Sequence, residues 1–259
     1  MGMNGFLSIN DKLISVIQLP EALLPPGEYH LSEHSLAGMK AEPVVDLHSG
    51  AVIGYEILSV LPRGGNSEVF FSEQSASSLA ELFLLQLHLS HGLVSGRRLL
   101  NLPVRVLTRP ELCQFLCTRN LNGITVEIQD PENLPTLSPA QLDLLGQNLL
   151  LFRHAGAEIF ADDVSPDLLL RITQLSWPLS GIKISREQFQ SLDSNADFCA
   201  TNMDTPSGGE FFLVAEGIET HEQYLLAALL GFTHGQGWLW PANCWLFIPV
   251  RSRDMVNAF

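Results

Sequence analysis

Eight polar residues fall at or near the ends of short apolar runs: Glu56 in GYEIL, Asn101 in LLNLP, Glu127 in TVEIQD, Asp162 and Asp163 in FADDV, Lys183 in GIKIS, Glu216 in LVAEG and Gln236 in HGQGW. Any one of them could face water from the open side of a strand. As a set they resist that reading, because strands of an α/β fold are covered on both faces. Carboxylates buried there without partners would each cost several kcal/mol. Lys183 offsets one charge among five acids. Divalent cations with oxygen ligands supply the rest, and carboxylates plus an amide suit Mg²⁺ or Mn²⁺. No His or Cys in the set points to zinc. The adjacent pair Asp162 and Asp163 suits two metals about 3.5–4 Å apart, an arrangement that activates water for phosphodiester hydrolysis. Lys183 would then stabilise the developing charge or position the water.

The elements that must hold these residues alternate along the chain. PVVDL and AVIGYEILSV, separated by HSG, read as a hairpin. RRLLNLP, GITVEIQD, AEIFADDV, GIKIS and EFFLVAEGIE read as strands, and GQGWLW as the last strand-like piece. Helical patterns lie between them, including SEQSASSLAELFLLQLHLSHGL, SPAQLDLLGQNLLLFRHAG, REQFQSLDSNADF and THEQYLLAALLG, with PVRSRDMVNAF as a closing helix. Repeated strand-then-helix order means a parallel sheet with helices outside, closed into a barrel or open. The early GxGxxG of a dinucleotide-binding open sheet is missing. Residues 1–40 form a Pro-containing lead without an assignable role, and residues 41–259 form the α/β domain.

A hydrophobic content of 46% with 16% charged residues describes a chain that buries a core. The net charge of −14 argues against a nucleic-acid polymer as partner. An acidic protein can still take an anionic ligand through bound cations. Cys113, Cys117, Cys199 and Cys244 complete no zinc set and read as reduced core thiols. No run approaches the roughly 20 apolar residues of a membrane span, and MGMNGFLSINDKL does not read as a signal peptide or a myristoylation site. The expectation is a cytoplasmic protein with no membrane contact.

The same residues carry a family resemblance. PVVDLHSGAVIGYEIL resembles the opening of an EAL domain, with EIL where the family has EAL. LLNLPVRVL, VEIQD, FADDV, IKIS, VAEGIET and GQGWLWPA resemble its later motifs, in order, from about Glu42 to Pro241. The resemblance implies a TIM-like (β/α)8 barrel whose first strand is antiparallel to the rest. It implies hydrolysis of the bacterial second messenger cyclic di-GMP to linear pGpG with Mg²⁺ or Mn²⁺, two per site, and Ca²⁺ as an inhibitory substitute. By matching position, Glu56, Asn101, Glu127, Asp162 and Asp163 would be metal ligands, with Glu216, Lys183 and Asp163 catalytic. Gln236, Leu58 and Pro241 would bind substrate. A homodimer is usual for the family.

The departures are specific. The Arg of E-A-L-x-R, which contacts the ligand phosphate, is Val60 here, and the stretch between Glu56 and Asn101 is shorter than usual. The D-D-F-G-T-G-Y-S-S loop is DDVSPDLLL, and Asp130 stands where a Glu anchors that loop. Ser185 replaces the Asp of K-I-D. Two functions follow: a cyclic di-GMP phosphodiesterase, or a catalytically weak or inactive relative that acts as a cyclic di-GMP receptor or docks a regulatory protein partner, with FF, WLW and CWLF as possible contact patches. The residues alone also fit a metal-dependent barrel enzyme acting on another phosphoester or an enolisable acid.

Overall fold

The computed structural model describes residues 5–9, 12–20, 36–61, 66–192 and 211–249. Strands β1 (Gly5–Ile9) and β2 (Lys12–Pro20) form an antiparallel hairpin within the lead. β3 (Gly38–Asp46) and β4 (Val52–Val60) form a second hairpin across the HSG turn. Asp46 fixes that turn by accepting from the amides of His48 and Ser49. Gly50 takes a φ of 71° there, a conformation open to glycine at little cost.

Helices and strands then alternate. α1 (Ser67–Glu73) and α2 (Ala76–Ser90) lead to β5 (Arg97–Pro103). α3 (Val104–Leu107) and α4 (Pro110–Leu116) lead to β6 (Ile124–Gln129), and α5 (Pro139–His154) to β7 (Glu158–Ala161). α6 (Pro166–Gln174) precedes β8 (Gly181–Ile184), which α7 (Arg186–Gln190) follows. β9 (Phe212–Ala215), α8 (His221–Leu229), β10 (His234–Gly235) and β11 (Asn243–Pro249) end the described chain. The helices begin where their sequence caps them. Ser138 with Gln141, and Thr220 with Gln223, form reciprocal capping boxes. Leu145, Leu149 and Phe152 of α5 are spaced to share one face, and all three are fully buried.

β4 to β10 run parallel in chain order. β3 pairs antiparallel with β4 on one edge and with β10 on the other, which closes the barrel. The inverted first strand is thus observed. β11 continues along β3 past β10 and carries β2 and β1 on its far side.

The interior fills in layers. Val44, Leu99, Phe160 and Val214, from alternate strands β3, β5, β7 and β9, form their own buried cluster inside the barrel. Four-residue layers drawn from alternate strands are how such barrels pack. Two positions nearer the C-terminal mouth, on the same face, come Glu42, Asn101, Asp162 and Glu216. β4, β6 and β8 supply Glu56, Glu127 and Lys183, and Gln236 follows β10 directly. The barrel thus changes from apolar to polar over one strand repeat.

Some expectations are corrected. The segment from Gly235 to Trp240 is strand only at Gly235, and the apolar run around CWLF forms β11. Cys244, Trp245 and Leu246 are buried there, so these three residues of CWLF are core and not a contact surface. A short apolar run gives no periodicity by which to tell strand from helix. Pro249 ends β11, and the rest of the expected closing helix lies outside the described residues. α7 stops at Gln190, and the later part of the helix expected from Arg186 to Phe198 lies outside them too. α1 is a separate helix that the sequence reading did not resolve, started by the Asn66 side chain accepting from Val69 N. Cys113 and Cys117 are free thiols, and burial pushes them up to about 12 and about 11. Among the described residues no helix is long and apolar enough to cross a membrane.

Candidate active site at the barrel mouth

Lys183 stands at the centre of the mouth. Its side chain is 1% exposed, and its ammonium lies 2.6 Å from Glu216, 2.9 Å from Asp162, 3.1 Å from Glu56 and 3.3 Å from Glu127. β8 aims it there because Gly181 and Lys183 alternate inward, and Gly181 leaves room where a Cβ would strike Phe212. Burial works against the ammonium, but the surrounding acids hold its pKa well above the ordinary lysine value.

The acids divide by their partners. Glu56 accepts from Asn101 Nδ2 at 2.8 Å, from Gln236 Nε2 at 2.6 Å and from Lys183. Burial would raise its pKa, but Lys183 and these donors hold the carboxyl below its usual range. Glu127 is fully buried, and neither of its oxygens has a hydrogen-bond partner. Burial drives it well above the normal Glu value, and Lys183 only partly opposes this against Glu56, Asp162 and Glu216. Burial raises Asp162 to about 6. Glu216, 17% exposed in its side chain, is raised well above normal by burial, with neighbouring acids outside Lys183 adding to the effect.

Glu56, Glu127 and Asp162 each offer an oxygen within 4.8 Å of the others. Buried polar atoms without a hydrogen bond cluster around them: Asn101 Oδ1, both Glu127 oxygens, Asp162 Oδ1 and Gln236 Oε1. Buried polar groups are normally satisfied. Lys183 reaches Asp162 Oδ1 and Glu127 Oε1 as an ion pair only, and Asn101 Oδ1, Glu127 Oε2 and Gln236 Oε1 face no donor, a set of acceptors that a hard divalent cation would complete. The donor set therefore fits Mg²⁺ or Mn²⁺. Soft or imidazole ligands do not enter it.

The other predicted residues fall around this centre. Asp163 is exposed and takes a φ of 50°. It lies outside the trio, though its charge acts on Asp162, Glu216 and Asp130. Asp130 also has a positive φ, 57°, and burial raises it, with Arg105 opposing. Leu58, Asn101, Arg105 and Asp130 line one cleft of about 640 Å³ with Lys40 and Phe71. Pro241 is exposed. The Val60 position lies opposite Gly38 on β3. After Asp163 the chain goes almost at once into α6, with Ser165 capping Leu168 N. Ser185 caps α7 by accepting from Gln188 N.

The sequence reading missed Lys40, Glu42 and Arg186, and offered Trp238 only as part of the WLW patch. Glu42 accepts from Gln236 Nε2 at 3.0 Å and pairs with Lys40 at 2.6 Å. Both precede the apolar part of their strand, and β3 runs against its neighbours, so its N-terminal half is the half at the mouth. The alternation Lys40, Glu42, Val44 is the signal that would have found them. Glu42, Arg186, Glu219 and Trp238 line a second cavity of about 180 Å³ with Glu56, Glu216 and Gln236.

Comparison with known proteins matches this fold. An EAL domain protein from Listeria monocytogenes aligns with a TM-score of 0.59 and 18% identity, covering 79% of this chain and 87% of that one. The manganese and cyclic di-GMP complex of BlrP1 from Klebsiella pneumoniae aligns with a TM-score of 0.61 and 20% identity over 91% of this chain. The calcium and cyclic di-GMP complex of the same protein aligns at 0.60 and 21% identity over 90% of this chain. In those BlrP1 structures the chain spans less than two thirds of the partner's length, 63% and 64%. No match was found among curated protein sequences. The sequence profile of the EAL domain matches residues 31–242, through every strand that carries a mouth residue, and this chain belongs to the EAL domain family.

Proposed function

We propose that this chain is a cyclic di-GMP phosphodiesterase that opens the ring to linear pGpG with Mg²⁺ or Mn²⁺. The observation that carries the reading is the group of buried acceptor atoms, three of them facing no donor, gathered around Lys183 at the mouth of an EAL barrel. Glu56, Asn101, Glu127 and Asp162 would hold the cation, with Asp163 beside them for a second. Bound there, a divalent cation polarises the phosphate and lowers the pKa of water. The chain's own groups do the rest. Glu216 carries a raised pKa and reaches the mouth, so it can take a proton from the attacking water. Lys183 keeps the acids converged and faces the charge that develops on phosphorus. Gln236 steers Glu56 by one amide hydrogen and Glu42 by the same nitrogen.

The test is to incubate pure protein with cyclic di-GMP and Mg²⁺ or Mn²⁺ and to measure pGpG. The expected result is product from the wild type and none from Glu56→Ala. Equal traces from both would remove the enzyme reading.

A second reading has its own observation. Val60 supplies no phosphate contact, and α6 starts within the segment that stands where the family has D-D-F-G-T-G-Y-S-S. A receptor or a partner-docking protein would tolerate both. Calorimetry separates them: cyclic di-GMP bound without turnover supports a receptor, and no binding supports a protein partner.

A further inference from the structure

A cyclic dinucleotide carries two phosphates, and the acid cluster can engage one of them through a bound cation. The other must find its countercharge elsewhere on the wall. Lys183 is already taken, since four carboxylates lie within 3.3 Å of its ammonium. β4 has no charge to offer beyond Glu56, since its mouth end reads Ile57, Leu58, Ser59, Val60. The elements on either side of β4 do carry positive charge there. On β3, Lys40 stands in register opposite Leu58. Glu42 holds its ammonium at 2.6 Å, and the Lys40 side chain is still 22% exposed. On the other side β5 runs straight into α3, which carries Arg105. Arg105 Nη2 donates to Phe71 O, while its Nε is buried without a hydrogen bond. Buried donors are normally satisfied. Asp130 lies within reach of the Arg105 charge, which pulls its pKa down against burial.

Lys40 and Arg105 are the two basic residues that line the cleft of about 640 Å³, and Leu58 and Asn101 line it with them. Asn101 also donates to Glu56, so this cleft opens directly onto the acid cluster. We propose that Lys40 and Arg105 seat the phosphate that is not cleaved, from the two elements that flank β4. The proposal rests on the cyclic di-GMP reading and adds the anchor for the second half of the ring. An ammonium and a guanidinium are both suited to it, since each makes charge-assisted hydrogen bonds to phosphate oxygens. Such a seat holds the ring in register while the other phosphate meets the acids, which is how a remote contact contributes to orientation.

Calorimetry of the full chain with Ca²⁺ measures it, using cyclic di-GMP and, in parallel, GpG, which has one phosphodiester and lacks the second phosphate. Lys40→Gln and Arg105→Gln are each expected to weaken cyclic di-GMP binding by about tenfold to a hundredfold, the range for losing one charge-assisted hydrogen bond. Lys40→Arg keeps the charge and is expected to bind within about threefold of wild type. GpG is expected to bind both Gln variants within about twofold of wild type, because a contact already absent from the ligand cannot be lost again. The Lys40 side chain is partly exposed, so Lys40→Gln decides the question even if Arg105→Gln, which also gives up the bond to Phe71 O, folds poorly. If the wild type binds cyclic di-GMP and Lys40→Gln binds it equally well, the phosphate seat is overturned while the cyclic di-GMP reading stands. Equal losses for cyclic di-GMP and GpG, or a loss that Lys40→Arg does not restore, overturn it in the same way. If the wild type binds no cyclic dinucleotide at all, both fall.

Discussion

Lys183 is the residue on which the mouth turns. It is the one ammonium among four carboxylates, and it is buried with them. Removing one partner of a buried ionic group costs about 3–5 kcal/mol, because the remaining charges lose compensation. Lys183→Met keeps the side-chain volume and removes the charge. In chelator it is expected to lower unfolding free energy by about that amount, and Mn²⁺ should recover part of the loss, since a cation supplies the same compensation. Denaturant titrations with and without metal measure both. A variant as stable as wild type in chelator would mean that the acids carry their protons in the native state and that Lys183 compensates nothing. Most mouth residues were legible in the sequence, because an acid closing an apolar run is unusual on a strand covered on both faces. Lys40 and Glu42 were not, because a reading aimed at the C-terminal ends of strands overlooks the strand that runs the other way.

Among the elements, β3 does the most. It closes the barrel through β4 and β10, presents Lys40 and Glu42 to the mouth, and carries β11 on its remaining edge. Gly38 makes the last contact possible, since a Cβ there would lie 2.1 Å from Trp245 O. Gly38→Ala must push β11 away or distort β3. The expected cost is about 1–3 kcal/mol, the range for forcing extra volume into a packed site. Because Glu42 lies four residues further along the same strand, weaker binding of Mn²⁺ is also expected. Denaturant midpoints and a metal titration check the two effects. Unchanged stability would show that β11 contributes little to the barrel. Helix starts were legible because Ser138 and Thr220 carry local capping signals. β11 was not legible, because pairing to β3 is a long-range fact and NCWLFIP has no alternation to announce it.

At the scale of the whole molecule, the acids of the mouth set how stability responds to pH. Barrel closure itself could not be read from alternating strands and helices, which serve an open sheet as well. Closure is what forces Glu127, Asp162 and Glu216 into one volume with Glu56. Burial raises three of them, Asp162 to about 6 and the other two well above the ordinary Glu value of 4.5. Glu56 moves the other way. For a raised acid the native state binds more protons than the unfolded chain between the two pKa values. Unfolding free energy then falls as pH rises through that window. With three raised acids against one lowered, the chelated protein is expected to lose stability steadily from about pH 4.5 through 6 and beyond. Adding Mn²⁺ should reverse the trend, because binding favours deprotonated ligands and strengthens as pH rises. Melting temperatures from pH 5 to 8, in chelator and in Mn²⁺, give two curves that should diverge upward in pH. Glu127→Gln removes one raised acid and should flatten the chelated curve while weakening the response to metal. That joint change separates the mouth from the general repulsion of a chain with net charge −14, which Glu127→Gln barely alters. A chelated curve that is flat across this range would mean the acids are solvated or paired elsewhere, and the barrel mouth would not be the charged centre described.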